Sequence, residues 1–198
     1  MAERRERLIG AAIELYGTHG YLATGVKDIC REAGVSDRYF YESFADGSEL
    51  FIAACDQVTA GLLDLVGRRV AAVSPPRPDA QARAAIEAFV RTLADDPRWA
   101  RLIFAEAPTA GPEAERRMRA TLRRFATLVA ATARPHITGR IPDRLVQMGA
   151  LSLVGAIERV MIEWQGEELD VTIDEVIDFL VELFMAIGAS VGVEGLDS

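Results

Sequence analysis

Ser36, Asp37, Arg38, Tyr39, Tyr41 and Ser43 crowd into eight residues of chain directly after a Gly34-Val35 break. These residue types suit recognition better than covalent chemistry. A guanidinium offers a planar fork of donors that fits the O6/N7 edge of a guanine. Hydroxyls and phenols donate to phosphate oxygens, and a ring such as that of Tyr39 can meet a thymine methyl or a phosphate. The groups that usually carry catalysis are sparse. His19 and His136 are the only histidines and neither pairs by sequence with a nucleophile or a ligand set. No Glu-x-x-His pair and no glycine-rich phosphate loop occurs, and the two isolated cysteines, Cys30 and Cys55, are too few for a structural zinc site. The sequence therefore implies no enzyme, no metal and no cofactor. The cysteines read either as small buried hydrophobes or as oxidant sensors.

The elements that would position the polar run are legible on either side of it. Val26, Ile29 and Ala33 form one apolar face, Gly34 suits the left-handed residue after a helix end, and Ser36 or Asp37 suits the cap that restarts one. Phe40, Tyr41 and Phe44 form the next face. Before them, Leu8, Ile9, Ala12, Ile13 and Tyr16 build a stripe, with Arg4, Arg5, Glu6 and Glu14 on the opposite face. Three short helices with a tight glycine turn between the last two is the layout of a helix-turn-helix DNA reader. The eight prolines fall between apolar-periodic stretches, and Asp96-Pro97 and Gly111-Pro112 read as caps followed by a first helical residue. The pattern predicts about nine helices, near 4–18, 26–33, 37–43, 48–72, 79–94, 97–107, 113–133, 143–165 and 173–190, and no strand. The expected fold is all-α: an N-terminal three-helix domain over 1–46 followed by a helical body over 47–198.

The combination GY-x-AT, V-x-DI, AGVS and Y-x-x-F between Gly20 and Phe44 resembles the N-terminal domain of the tetracycline-repressor (TetR) family. The resemblance implies a dimeric, helix-turn-helix transcriptional regulator, a repressor released from a palindromic double-stranded DNA operator by a small-molecule effector. It implies that Tyr41 matches the family's phosphate-binding tyrosine, that Val26 and Lys27 open the helix that meets the DNA backbone, and that Thr24 lies in the flanking turn. Ser36, Asp37, Arg38, Tyr39 and Ser43 then face the groove, with Arg38 as the guanine reader. The family usually places a phosphate-binding lysine at the start of its fourth helix, where this chain has Gly47, so that clamp is reduced to backbone N–H groups. Glu42 also stands where an aromatic residue or histidine is common. In the proteins this chain resembles, an effector enters the body, shifts the fourth helix and changes the separation of the two heads.

Charge sharpens that expectation. The chain of 198 residues carries a formal charge of −8, and across residues 1–50 nine acids face six bases. A non-specific polyanion binder has the opposite balance, so modest affinity per head, a shallow salt slope and reliance on the dimer are expected. The same balance admits the other reading, a helical ligand-binding or protein-interaction module whose degraded head no longer reads DNA.

With 50% hydrophobic content the body can bury a full core. No N-terminal signal pattern is seen, and the longest apolar runs carry Glu158, Arg159 or Glu182, so no membrane helix and a reducing cytoplasmic location are expected. The last two helices each hold more apolar surface than one partner can cover. A two-fold, four-helix homodimer interface including Leu151, Val154, Met161, Trp164, Leu180 and Phe184 explains this, as would burial of both helices within a monomer. Phe89, Trp99, Phe104, Phe125 and Met148, large groups on different central helices, are candidates for lining an apolar effector pocket or for plain core packing. Glu106 and Glu158 interrupt apolar runs and could orient a polar group of a ligand or lie at an exposed or interfacial position. The arginines between Arg116 and Arg124 form a solvated face or a second anion site.

Overall fold

The computed structural model describes residues 2–107, 109–138, 140–166, 168–190, 192 and 193. Within them the chain is helical: α1 (Ala2–His19), α2 (Val26–Ala33), α3 (Asp37–Ser43), α4 (Gly47–Ala71), α5 (Pro78–Asp95), α6 (Pro97–Ala100), α7 (Pro112–Ala133), α8 (Asp143–Gln165) and α9 (Ile173–Ser190). Extended pairing among the described residues is limited to one isolated bridge, Ile137 with Val193. Pro108, one of the expected breaks, lies outside the described residues.

Helix boundaries follow the local chemistry. Gly34 adopts φ 61° and ψ 41° and closes α2. Its N–H donates to the Arg31 carbonyl at 3.2 Å, and that of Val35 donates to Cys30 at 3.0 Å. This paired return of N–H groups to the last turn is the Schellman arrangement, which favours glycine at the left-handed position. At the start of α9, Thr172 and Glu175 cap each other's backbone N–H, at 3.3 Å and 2.8 Å. The helix expected over 97–107 is a correction. It ends as an α-helix at Ala100 and continues as a π-turn over Arg101–Ala105, where the Glu106 N–H reaches back five residues to the Arg101 carbonyl at 3.2 Å.

The chain divides into two compact units, 1–61 with 96–119, and 62–95 with 120–198. In the first unit, α1 packs on α2, α3 and α6. Its core joins Leu8, Ile9 and Tyr16 of α1 to Ile29, Phe40, Leu50, Phe51, Leu102 and Ile103, all buried. Each such side chain contributes about 1.5–3 kcal/mol of transfer free energy before chain entropy is set against it. Tyr16, Tyr21 and Phe51 form a triangle of rings with centroids 5.3–5.7 Å apart. Glu106 is 8% exposed and belongs to this unit. Its carboxylate accepts the Tyr21 N–H at 2.9 Å and the Arg101 Nε at 3.1 Å, so it is a buried tie and not an exposed or interfacial group.

In the second unit, α5 and α8 each pack on α9. Ile86, Val90 and Leu93 of α5, Leu153 and Met161 of α8, and Val176, Ile177 and Leu180 of α9 are buried. Arg83–Asp178 at 2.9 Å and Arg91–Asp174 at 2.6 Å flank the α5–α9 seam. Being exposed, they set register more than they stabilise. The Glu158 carboxyl is half-buried, and burial raises its pKa above the ordinary glutamate range.

Two expectations change here. Met161 and Leu180 are 0% exposed, and Val154 is buried beside Ala126 and Ala150, so these three belong to the chain's own core. Helices α4 and α8 are also long and apolar enough to cross a membrane, contrary to the sequence reading, although a core helix of a water-soluble protein meets the same criterion. Helix α4 fits the core case: Leu50, Phe51, Ala54, Val58, Leu62 and Val66 are buried.

Candidate nucleic-acid interface

The polar run sits on α3, whose first turn opens at Ser36. The Ser36 backbone is extended (φ −82°, ψ 155°) and its hydroxyl makes no cap hydrogen bond, so the oxygen stays available to an incoming group. Asp37 occupies the first helical position and is not the cap. Phe40 is fully buried and fixes the rotation of the helix, leaving Asp37, Arg38 and Tyr41 exposed and Tyr39 and Ser43 half-buried. Tyr41 is 63% exposed, with its ring edge-on to Phe40 at 5.2 Å. It thus combines a packed ring with a hydroxyl in solvent.

Arg38 donates from Nε to the Glu42 carboxylate at 2.9 Å, one helical turn on. That bond uses Nε and leaves both terminal nitrogens outside it. On α2, Val26 is half-buried and Lys27 exposed, while Asp28 accepts the Gly25 N–H at 3.1 Å and Arg31 at 2.7 Å. The Gly25 N–H and then Arg31 hold the Asp28 carboxyl below its ordinary pKa. The Thr24 hydroxyl donates to the Gly20 carbonyl at 2.8 Å, so it shapes the turn before α2.

Gly47 begins α4, capped by Asp46, which accepts the Glu49 N–H at 2.9 Å. A Cβ placed on Gly47 would stand 3.5 Å from the Tyr16 hydroxyl, an ordinary contact. Gly47→Lys is therefore expected to fold normally and to return a cation to the start of α4. Binding to any duplex should tighten, and the log–log salt slope should steepen by about 0.9 per added phosphate contact. Fluorescence anisotropy at several salt concentrations checks this, and an unchanged slope would show that the helix start does not meet a phosphate.

The cysteines are buried. Burial, with the Asp37 carboxylate adding to it, pushes the Cys30 thiol up to about 11, and burial raises Cys55 further, beside Asp56. A thiol whose pKa is raised is protonated at neutral pH and a poor nucleophile. Iodoacetamide should leave both unmodified in the folded protein at pH 7, with labelling of Cys30 rising only as pH approaches about 11. Rapid labelling at pH 7 would return the oxidant-sensor reading.

The candidate pocket residues fall in both compact units. Phe89 and Phe125 meet edge-on at 5.4 Å in the second unit, Trp99 and Phe104 belong to the first, and Met148 is 60% exposed. The second unit holds a small apolar cleft of about 30 Å³ lined by Val129, Ala133, Val146, Leu153, Phe184 and Ile187 among others. Of the remaining interface candidates, Leu151 is exposed, Trp164 and Phe184 are half-buried, and Leu145, Met148 and Phe179 are further apolar side chains in solvent. Reading the sequence by apolar period alone could find the stripe but not which of its sides faces inward.

Comparison with known proteins supports this head. Residues 8–54 match the model of the family described as bacterial regulatory proteins, tetR family. Over 102 residues the chain is 34% identical to the HTH-type transcriptional activator FasR of Mycolicibacterium smegmatis, a match covering 52% of this chain and 46% of that protein. The chain thus spans less than half the length of the curated relatives it matches. Among solved structures, the fatty acid degradation regulator FadR of Bacillus halodurans superposes with a TM-score of 0.76 at 16% identity, covering 91% of this chain and 94% of that one. FadR of Bacillus subtilis, in complex with stearoyl-CoA, gives 0.76 at 16% identity over 90% and 96% of the two chains. Residues 8–54 thus match the tetR family of bacterial regulatory proteins, and the chain shares the fold of the solved structures over 90% or more of its length.

Proposed function

We propose that the protein is a cytoplasmic DNA-binding transcriptional regulator. Residues 1–46 read a palindromic operator, residues 47–198 hold an effector and dimerise, and binding represses a promoter until the effector releases it. The observation that carries this reading is the exposed face of α3. Ser36 with an uncapped hydroxyl, Arg38 with both terminal nitrogens outside its bond to Glu42, and exposed Tyr41 are carried by one short helix fixed by buried Phe40. Such groups at the start of a recognition helix hold phosphates and read base edges. The outward apolar side chains of α8 and α9, Leu145, Met148, Leu151 and Phe179, supply a surface for a two-fold partner.

The effector class is drawn from the relatives. One solved structure of this fold is described with stearoyl-CoA and another as a regulator of fatty acid degradation, so a long-chain acyl thioester is the first ligand to try. Release requires a two-state equilibrium in which the effector prefers the dimer whose heads do not match one helical repeat of DNA, and the coupling is reciprocal. Helix α4 belongs to both compact units, changing from one to the other between Gly61 and Leu62, which suits it to carry such a shift.

The test is a titration of the purified protein against DNA from its own upstream intergenic region, with an unrelated duplex as control, followed by addition of acyl-CoA. Specific binding lost on adding the thioester is the expected result. Equal acyl-CoA affinity with and without operator would remove the induction mechanism, and in-vitro transcription distinguishes repression from the activation for which FasR is named. Absence of specific binding on a wider genomic fragment pool would mean that the head no longer reads DNA.

A further inference from the structure

The head must hold a polyanion with few cations, and three of the six are already engaged. Arg7 donates to the Ala33 carbonyl and, at 2.8 Å, to that of Gly34, closing the end of α2. Arg31 is paired with Asp28 and Arg38 with Glu42. Among the described residues, Arg4, Arg5 and Lys27 are the remaining bases of residues 1–50 and form no ion pair. Arg4 and Arg5 are nevertheless held in place. The Arg4 guanidinium carbon lies 4.0 Å from the centre of the Tyr39 ring on α3, and that of Arg5 lies 5.0 Å from the centre of Phe44, the residue that ends α3.

A ring face and a carboxylate hold an arginine to different ends. A carboxylate cancels the charge and takes up donors. A ring fixes the plane of the guanidinium while leaving its charge uncancelled and its five N–H donors free at the rim. Glu3 and Glu6 flank the two arginines in sequence but pair with neither. Two uncancelled, oriented cations therefore lie against the recognition helix, in the head that lacks a lysine at position 47.

We infer that Arg4 and Arg5 form a phosphate clamp of this head, gripping the DNA backbone beside the bases that α3 reads and standing in for the cation absent at Gly47. The clamp rests on the DNA-binding reading and deepens it. Tyr39 is then a positioning residue for Arg4 as well as a groove residue. Because phosphate contacts carry no sequence information, the clamp adds affinity for operator and unrelated duplex alike.

The test compares the full-length protein with Arg4→Gln/Arg5→Gln and Arg4→Lys/Arg5→Lys, measuring anisotropy against operator and unrelated duplexes over a series of salt concentrations. Circular dichroism serves as the folding check; both arginines are exposed, and glutamine and lysine are good helix formers. The glutamine pair should shallow the log–log slope by about 0.9 per lost contact, roughly 1.8 per head, by the same amount on both duplexes. The lysine pair, which keeps the charge, should retain most of the slope. An unchanged slope in the glutamine pair, with the parent protein still binding operator, overturns the clamp and leaves the regulator reading standing. A slope that falls equally in the lysine pair overturns it too, since a lost fold contact and not a lost charge would then be responsible. Failure of the parent protein to bind either duplex overturns both.

Discussion

Arg38→Ala is expected to abolish discrimination at one base pair of each half-site while leaving the salt dependence of binding almost unchanged. The guanidinium is held by Glu42 through Nε at 2.9 Å, which leaves both terminal nitrogens free of that bond. A bidentate contact to guanine O6 and N7 can use those two nitrogens with the Glu42 bond intact, so reading a base does not require breaking the pair. Such a contact is worth about 1–3 kcal/mol of discrimination. With two heads on one operator the loss is about 2–6 kcal/mol, against which an exposed helical pair of about 0.3–0.5 kcal/mol is negligible. Because Glu42 balances the charge of Arg38, the salt slope should move little. That separates Arg38 from Arg4, Arg5 and a lysine introduced at position 47, whose effects appear in the slope and are shared by all duplexes. Competition binding against operators mutated one base pair at a time checks the result, and a uniform loss over every sequence would show that Arg38 serves phosphate and not base.

How far the sequence could reach depended on the distance over which each determinant acts. Helix ends were legible because their causes are local. Gly34 returns N–H groups three and five residues back, and Asp46 and Thr172 cap N–H groups within one turn. The Arg38–Glu42 pair was equally local, four residues apart on a short helix. Glu106 could not be read in the same way. An acid interrupting an apolar run looks exposed or functional until one knows that the backbone N–H of Tyr21 is presented to it from 85 residues away. Side-chain type also says nothing of where a residue sits, since Phe89 and Trp99, ten residues apart, belong to different compact units. Met161 and Leu180 illustrate the remaining limit. Apolar periodicity identifies a helix with several apolar sides, but the side that faces inward is decided by α5, α8 and α9 packing together, information that no single helix contains.

Two glycines in α1 should respond to the same substitution with opposite sign, and the difference measures how tightly the head is joined to the segment around α6. By intrinsic propensity, alanine is worth about 0.5–1 kcal/mol more than glycine inside a helix. Gly10 is exposed with no atom within 4 Å of a Cβ built on it, so Gly10→Ala is expected to stabilise by about that amount. Gly17 is buried where α1 crosses α6, and its Cβ would stand 2.5 Å from the Arg98 Cβ and 2.9 Å from the Arg98 Cα and carbonyl oxygen. Two of those three atoms are backbone, so the neighbour cannot swing aside. Moving it would disturb the Asp96 cap of α6, which accepts the Arg98 N–H at 3.2 Å, and the Arg98–Glu14 pair between the two helices. Overpacking of this kind costs about 1–3 kcal/mol or more, enough to outweigh the propensity gain, and Gly17→Ala should therefore be destabilising on balance. Denaturant unfolding of the two variants beside the parent protein checks both signs. If Gly17→Ala proved as stabilising as Gly10→Ala, the close approach of α1 to α6 would not hold in solution, and the first compact unit would lose the contact that ties the DNA-reading helices to α6.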